Sequence, residues 1–167
     1  AKIRPDHIRL EEPLTDQGST DYYLAHCPDG VRNVPTWGKV TIADVYPGID
    51  WVVRDTPGDG VHQDFVVHPG ADAARIRLEY SGASAIEVSA DQRSLLVRTR
   101  RGDVKEGALV CTQADGRIPV GARFRVEGNA ASLVLDTYDR TKPLVIDPPL
   151  VWSTYYGGTS YDGPRAI

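Results

Sequence analysis

Turn-forming glycines and prolines recur along the whole chain, and no helix-length periodic segment fits between them. Pro28-Asp29-Gly30, Pro47-Gly48, Pro57-Gly58-Asp59-Gly60, Pro69-Gly70, Arg101-Gly102-Asp103 and Asp115-Gly116 mark such points. Proline sets φ and lacks an amide donor, while glycine accepts φ > 0, so these pairs close turns and end regular elements. Between them lie short runs rich in Val, Ile, Leu and Tyr that alternate apolar with polar residues. That is the period of a strand with one buried face. The 16 Gly and 12 Pro of the 167 residues are spread rather than clustered, so they punctuate strands and do not form a linker. The expected fold is all-β: an antiparallel β-sandwich or barrel-like domain with many short strands and little helix.

Element by element, the pattern predicts strands at Tyr22–His26, Val34–Ala43, Ile49–Arg54 and Val61–His68, the last two as antiparallel neighbours. Cys27-Pro28-Asp29-Gly30 is expected to be a turn. Val45-Tyr46-Pro47-Gly48 is another, with Pro at its second position and Gly at its third. Ala71–Arg75 is expected to form one helical turn. Further strands are expected at Arg75–Tyr80, Ile86–Ser89, Leu95–Thr99, Ala108–Gln113, Ile118–Glu127, Ser132–Thr137 and Leu144–Ile146, with a last aromatic strand at Val151–Tyr156. Residues 1–19 read as an irregular arm or an edge strand.

Composition narrows the function classes. Hydrophobic residues make up 41%, enough for a real core. No apolar run approaches the ~20 residues that span a bilayer as a helix. Acidic residues outnumber basic ones, 23 to 19, and no basic stripe appears, which argues against a nucleic-acid binder. The chain contains no Met and opens at Ala1, so it is expected to be a piece of a longer product.

Candidate chemistry is sparse. His62, Asp64 and His68 share one strand face and could make a transition-metal site. At ~3.3 Å per residue the two imidazoles stand about 20 Å apart, too far for one ion; the alternative is a half-exposed strand face in which Asp64 accepts from a neighbouring turn. Asp44, Asp50, Asp55 and Asp59 surround the Pro47-Gly48 turn and raise calcium as a cofactor, although EF-hand spacing is absent. The alternative is that these carboxylates cap turns. No Gly-x-Ser-x-Gly elbow, activated cysteine or phosphate-binding glycine loop is present, so no catalytic residue is assigned and the chain is expected not to be an enzyme. Arg101-Gly102-Asp103 reads as a hairpin tip. Alternation puts aromatic residues on both faces of the Val151–Tyr156 strand, as in a strand buried on both sides.

Several strings together resemble a known family: Val34-Pro35-Thr36-Trp37-Gly38-Lys39-Val40, Val45-Tyr46-Pro47-Gly48-Ile49-Asp50, Asp64-Phe65-Val66-Val67-His68-Pro69-Gly70-Ala71-Asp72, and Tyr138-Asp139-Arg140-Thr141-Lys142-Pro143-Leu144-Val145-Ile146-Asp147-Pro148. They are similar to the N-terminal β-rich domain that precedes SBBP (seven-bladed β-propeller) repeats in large secreted bacterial proteins. Val151-Trp152-Ser153-Thr154-Tyr155-Tyr156-Gly157-Gly158 is similar to the opening of the first repeat. The resemblance implies a β-sandwich domain over 20–149 and the first strand of a repeat, or a strand-exchange tail, over 150–167. It implies an extracellular or cell-surface location and a structural role without catalysis. Tyr46, Pro47, Gly48, Asp50, Asp64, Pro143 and Asp147 are then the structure-bearing residues. In a secreted protein the even cysteine count makes a Cys27–Cys111 disulfide a candidate.

The expected function is a non-enzymatic interaction module leading into a repeat array. Its partner would be protein, either the rest of its own polypeptide or neighbouring subunits. An alternative is a self-assembling extracellular subunit joined by β-strand addition. There the N-terminal arm or the tail carrying Val151, Trp152, Tyr155 and Tyr156 would complete a neighbour's sheet. A carbohydrate-binding accessory domain is the remaining alternative, with Trp37 or Trp51 as its platform.

Overall fold

The computed structural model describes residues 4–14, 18–24, 26–56, 60–100, 102–113, 116–148 and 150–152. In chain order the strands are β1 (Ile8–Pro13), β2 (Ser19–Leu24), β3 (Cys27–Pro35), β4 (Trp37–Tyr46), β5 (Ile49–Thr56), β6 (Gly60–Val67), β7 (Arg77–Glu79) and β8 (Ala83–Val88). They continue as β9 (Leu95–Thr99), β10 (Gly102–Glu106), β11 (Val110–Gln113), β12 (Ile118–Pro119), β13 (Ala122–Glu127), β14 (Ala130–Leu135), β15 (Leu144–Asp147) and β16 (Leu150–Trp152). Two short 3-10 turns, Pro5–His7 and Ala73–Arg75, are the helical elements among the described residues. Asp72 caps the second by accepting from the Ala74 amide. The fold is all-β with many short antiparallel strands.

Seven strands form one sheet in the order β1-β4-β5-β6-β15-β11-β12. Strands β4, β5 and β6 form a meander; β15 returns to pair with β6, and β11 continues the sheet beyond it. A four-stranded sheet runs β16-β10-β9-β8, a three-stranded sheet β13-β14-β7, and β2 with β3 forms a separate hairpin. Alternation decides which side chains meet. Leu144 and Ile146 of β15 are buried, whereas Val145 and Asp147 are only partly so. The core gathers Ile49, Phe65, Val67, Cys111, Leu144 and Ile146 from one face of the large sheet. Against them pack Leu95 of the four-stranded sheet and Phe124, Ala131 and Leu133 of the three-stranded one. The large sheet is thus one layer, and the two smaller sheets face it.

Several boundaries differ from expectation. Cys27–Gly30 belongs to β3 rather than to a turn, and the β2–β3 pairing absorbs the irregularity through two register shifts. The Val34–Ala43 run divides at Thr36, and Ile118–Glu127 divides into β12 and β13. Strand β10 had no counterpart in the pattern, because Gly102-Asp103-Val104-Lys105-Glu106 lacks apolar alternation. Strand β1 pairs with β4, and β16 pairs with β10. Within the expected N-terminal arm, Ile8–Pro13 therefore supply an edge strand of the main sheet. Tyr155 and Tyr156 lie outside the described residues.

Candidate functional site: the charged face of the seven-stranded sheet

The face of the large sheet turned away from the core carries Asp50, His62, Asp64 and Asp147, with His68 at its end. It has two clusters. One lies at the end of the sheet where β4 turns into β5. Pro47 and Gly48 form that turn, and Gly48 has φ +71°, as the third position of a Pro-Gly turn requires. Asp44, itself at φ +51°, makes a bulge before the turn, and its Oδ1 accepts from the Gly48 amide at 3.0 Å. Asp50 Oδ1 accepts from the Asp44 amide at 2.9 Å, and Asp50 Oδ2 meets His68 Nε2 at 3.0 Å. The Gly48 carbonyl accepts from the His68 amide at 2.9 Å. Burial alone would raise the Asp50 carboxyl; the Asp44 amide, His68 and Arg9 outweigh it and hold the group below the usual carboxylate range.

Tyr46 extends this cluster to another sheet. Its hydroxyl donates to the Arg77 carbonyl at 3.2 Å and accepts from the Arg77 amide at 3.3 Å, tying the β4–β5 turn to the start of β7.

The second cluster lies mid-sheet, on β5, β6 and β15. Arg54 Nε donates to Asp64 Oδ2 at 2.8 Å, and its Nη2 lies 3.8 Å from Asp147 Oδ2. His62 Nδ1 lies 3.1 Å from the same Asp147 oxygen. Asp64 is 7% exposed. The second oxygens of Asp64 and Asp147 are buried without a hydrogen-bond partner among the described residues. Burial, together with the neighbouring Asp64 charge, lifts the Asp147 carboxyl above its ordinary range, against the pull of His62 and Arg54.

These contacts reassign the metal candidates. His62 and His68 serve different carboxylates, and Asp64 takes Arg54 rather than a turn amide. Among the described residues no group of three His, Cys, Asp or Glu side chains is placed to hold a metal ion. Asp44 and Asp50, proposed for calcium, spend oxygens on backbone amides; Asp59 lies outside the described residues. Asp103 of the Arg-Gly-Asp string pairs with Arg98, which also binds Glu87 at 3.0 Å.

Cys27 and Cys111 are both free. Cys111 is buried in β11 at the core, where burial pushes its thiol up to about 12, whereas Cys27 begins a strand of the separate hairpin. Trp51 is no open platform. It packs against the core and stacks on Phe65, with centroids 6.4 Å apart and planes 14° apart.

Pro143 stands at the end of a turn held by a residue that sequence reasoning passed over. Gln113, 4% exposed, donates from Nε2 to the Asp139 carbonyl at 2.8 Å and lies 3.3 Å from the Pro143 carbonyl. Its Oε1 accepts from the Asp139 amide at 3.0 Å. Gln113 shares a strand face with Cys111, so a polar residue at an inward position was the available signal. For Arg54 the sequence pattern predicts only the end of a strand.

Residues 5–149 match the family model described as a domain of unknown function, DUF7948. The chain belongs to the DUF7948 family. No curated protein and no solved structure matches it. The DUF7948 match covers both carboxylate clusters and ends one residue before β16 begins.

Proposed function

We propose that this DUF7948 domain is a non-enzymatic structural and interaction module of a secreted or cell-surface bacterial protein, placed ahead of a β-repeat array. One observation carries most of the weight. The string Leu144–Asp147 runs as β15 inside the large sheet, and the chain then reaches β16, which joins the edge of the other layer. The end of the family match coincides with that crossing. The carboxylates that the SBBP resemblance singles out are engaged with amides, His and Arg across neighbouring strands, which suits a scaffold that must hold its exit in place.

The test is an antiserum raised against the domain and applied to the source bacterium. It should label intact, unpermeabilised cells or the culture medium, and should detect a polypeptide far longer than 167 residues. Labelling that requires permeabilisation, or a product of about this length alone, would overturn the proposal.

A second reading, self-assembly by strand addition, draws on β1. This strand ends the seven-stranded sheet, and Ile8 and Leu10 are 41% and 51% exposed along it. Sedimentation of the full chain should then show concentration-dependent association that Leu10→Lys removes. A monomer at all concentrations would exclude it.

A further inference from the structure

The strand that receives the exiting chain carries a buried acid. In β10, Val104, Lys105 and Glu106 pair with Trp152, Val151 and Leu150 of β16. Glu106 is 2% exposed and lies where three parts of the fold meet. Leu95 of β9 is its partner in register. The Tyr80 hydroxyl, just after β7, donates to Glu106 Oε1 at 3.2 Å. The Gln63 side chain, from β6 of the large sheet, is its other polar neighbour. Its Oε2 is buried without a partner among the described residues.

No cation answers this carboxyl among those residues. Tyr80 is the titratable group that faces it. From β6 the neighbour is Gln63, and the flanking His62 and Asp64 are engaged with Asp147 and Arg54 on the opposite face. From β9 the neighbour is Leu95, while Arg98 is taken by Glu87 and Asp103. A buried carboxylate without a cation is costly, whereas a buried neutral acid is tolerable. Strand β16 is three residues long and has one neighbour, which makes it an element that is easily released.

We propose that Glu106 is a proton-operated latch on the strand through which the chain leaves the domain: neutral, it allows β10 to hold β16; ionised, it loosens that pairing. Burial supports this by lifting the Glu106 carboxyl to about 7, against the opposing pull of Tyr80 and Gln63. The latch requires neither the repeat array nor the surface location.

The test measures amide exchange protection in the full chain, corrected for intrinsic exchange, between pH 5 and pH 7.5. Protection across β10–β16 should fall by on the order of tenfold or more as pH rises, while β4–β5 holds steady. Glu106→Gln should abolish the pH dependence. Should that variant fail to fold, Tyr80→Phe provides a second check: losing the hydroxyl bond to the carboxylate should move the midpoint upward. Protection independent of pH in the unmodified chain would overturn the latch. So would the same dependence in Glu106→Gln, or an unmoved midpoint in Tyr80→Phe.

Discussion

Gly48 illustrates how much one residue can be asked to do. Its positive φ closes the β4–β5 turn, and a Cβ built there would stand 3.0 Å from the Ala71 Cβ. Both the backbone conformation and the space disfavour a side chain. Gly48→Ala should therefore destabilise the domain by about 1–2 kcal/mol, measured as a lower urea midpoint at unchanged slope. The turn was legible in Tyr46-Pro47-Gly48 because proline and glycine impose local geometry. The pressing contact with Ala71 was not, since Ala71 approaches from a different part of the chain.

At the scale of elements, the 139–143 segment before β15 owes its shape to a side chain on another strand. Gln113 supplies both a donor and an acceptor to it from β11. Gln113→Ala leaves the Asp139 amide and carbonyl without those partners, and should cost roughly 1–3 kcal/mol in chemical unfolding. The strands themselves were largely readable. Leu95–Thr99 and Leu144–Ile146 are short runs rich in Leu, Ile and Val between turns, and burial alternates along β9 and β15. Strand β10 was not readable, because its five residues carry two acids and a lysine. It is a strand because β9 and β16 pair with it on either side. Cys27–Gly30 erred the other way: a sequence with every mark of a turn was drawn into β3 by cross-strand pairing.

For the whole molecule, two groups of acids set opposing pH responses. Asp50 is held below the usual carboxylate range, so the stability it contributes is present above its unfolded value and lost as pH falls. Glu106 is raised to about 7 from an ordinary 4.5, so its contribution is full below about 4.5 and lost as pH rises through about 7. Asp147, also raised, acts in the same sense as Glu106. The melting temperature should accordingly peak in acidic solution, at about pH 4, and decline on both sides. A melting temperature that climbs steadily to pH 8 would contradict this balance. The peak should also shift towards neutrality in Glu106→Gln.

Local chemistry in the chain was enough to determine an all-β fold, the Pro47-Gly48 turn, the antiparallel β5–β6 pair and one helical turn within Ala71–Arg75. Each depends on φ preferences or on period-two alternation within a few residues. Only the tertiary structure decided that Arg54 joins Asp64 to Asp147, that His62 and His68 serve separate carboxylates, and that Glu106 is buried beside Tyr80. Those groups come from strands far apart in sequence, and alternation says which face a side chain takes without saying which strand lies next to it. A strand's neighbours depend on sheet order, and sheet order is settled by packing the core of the whole molecule.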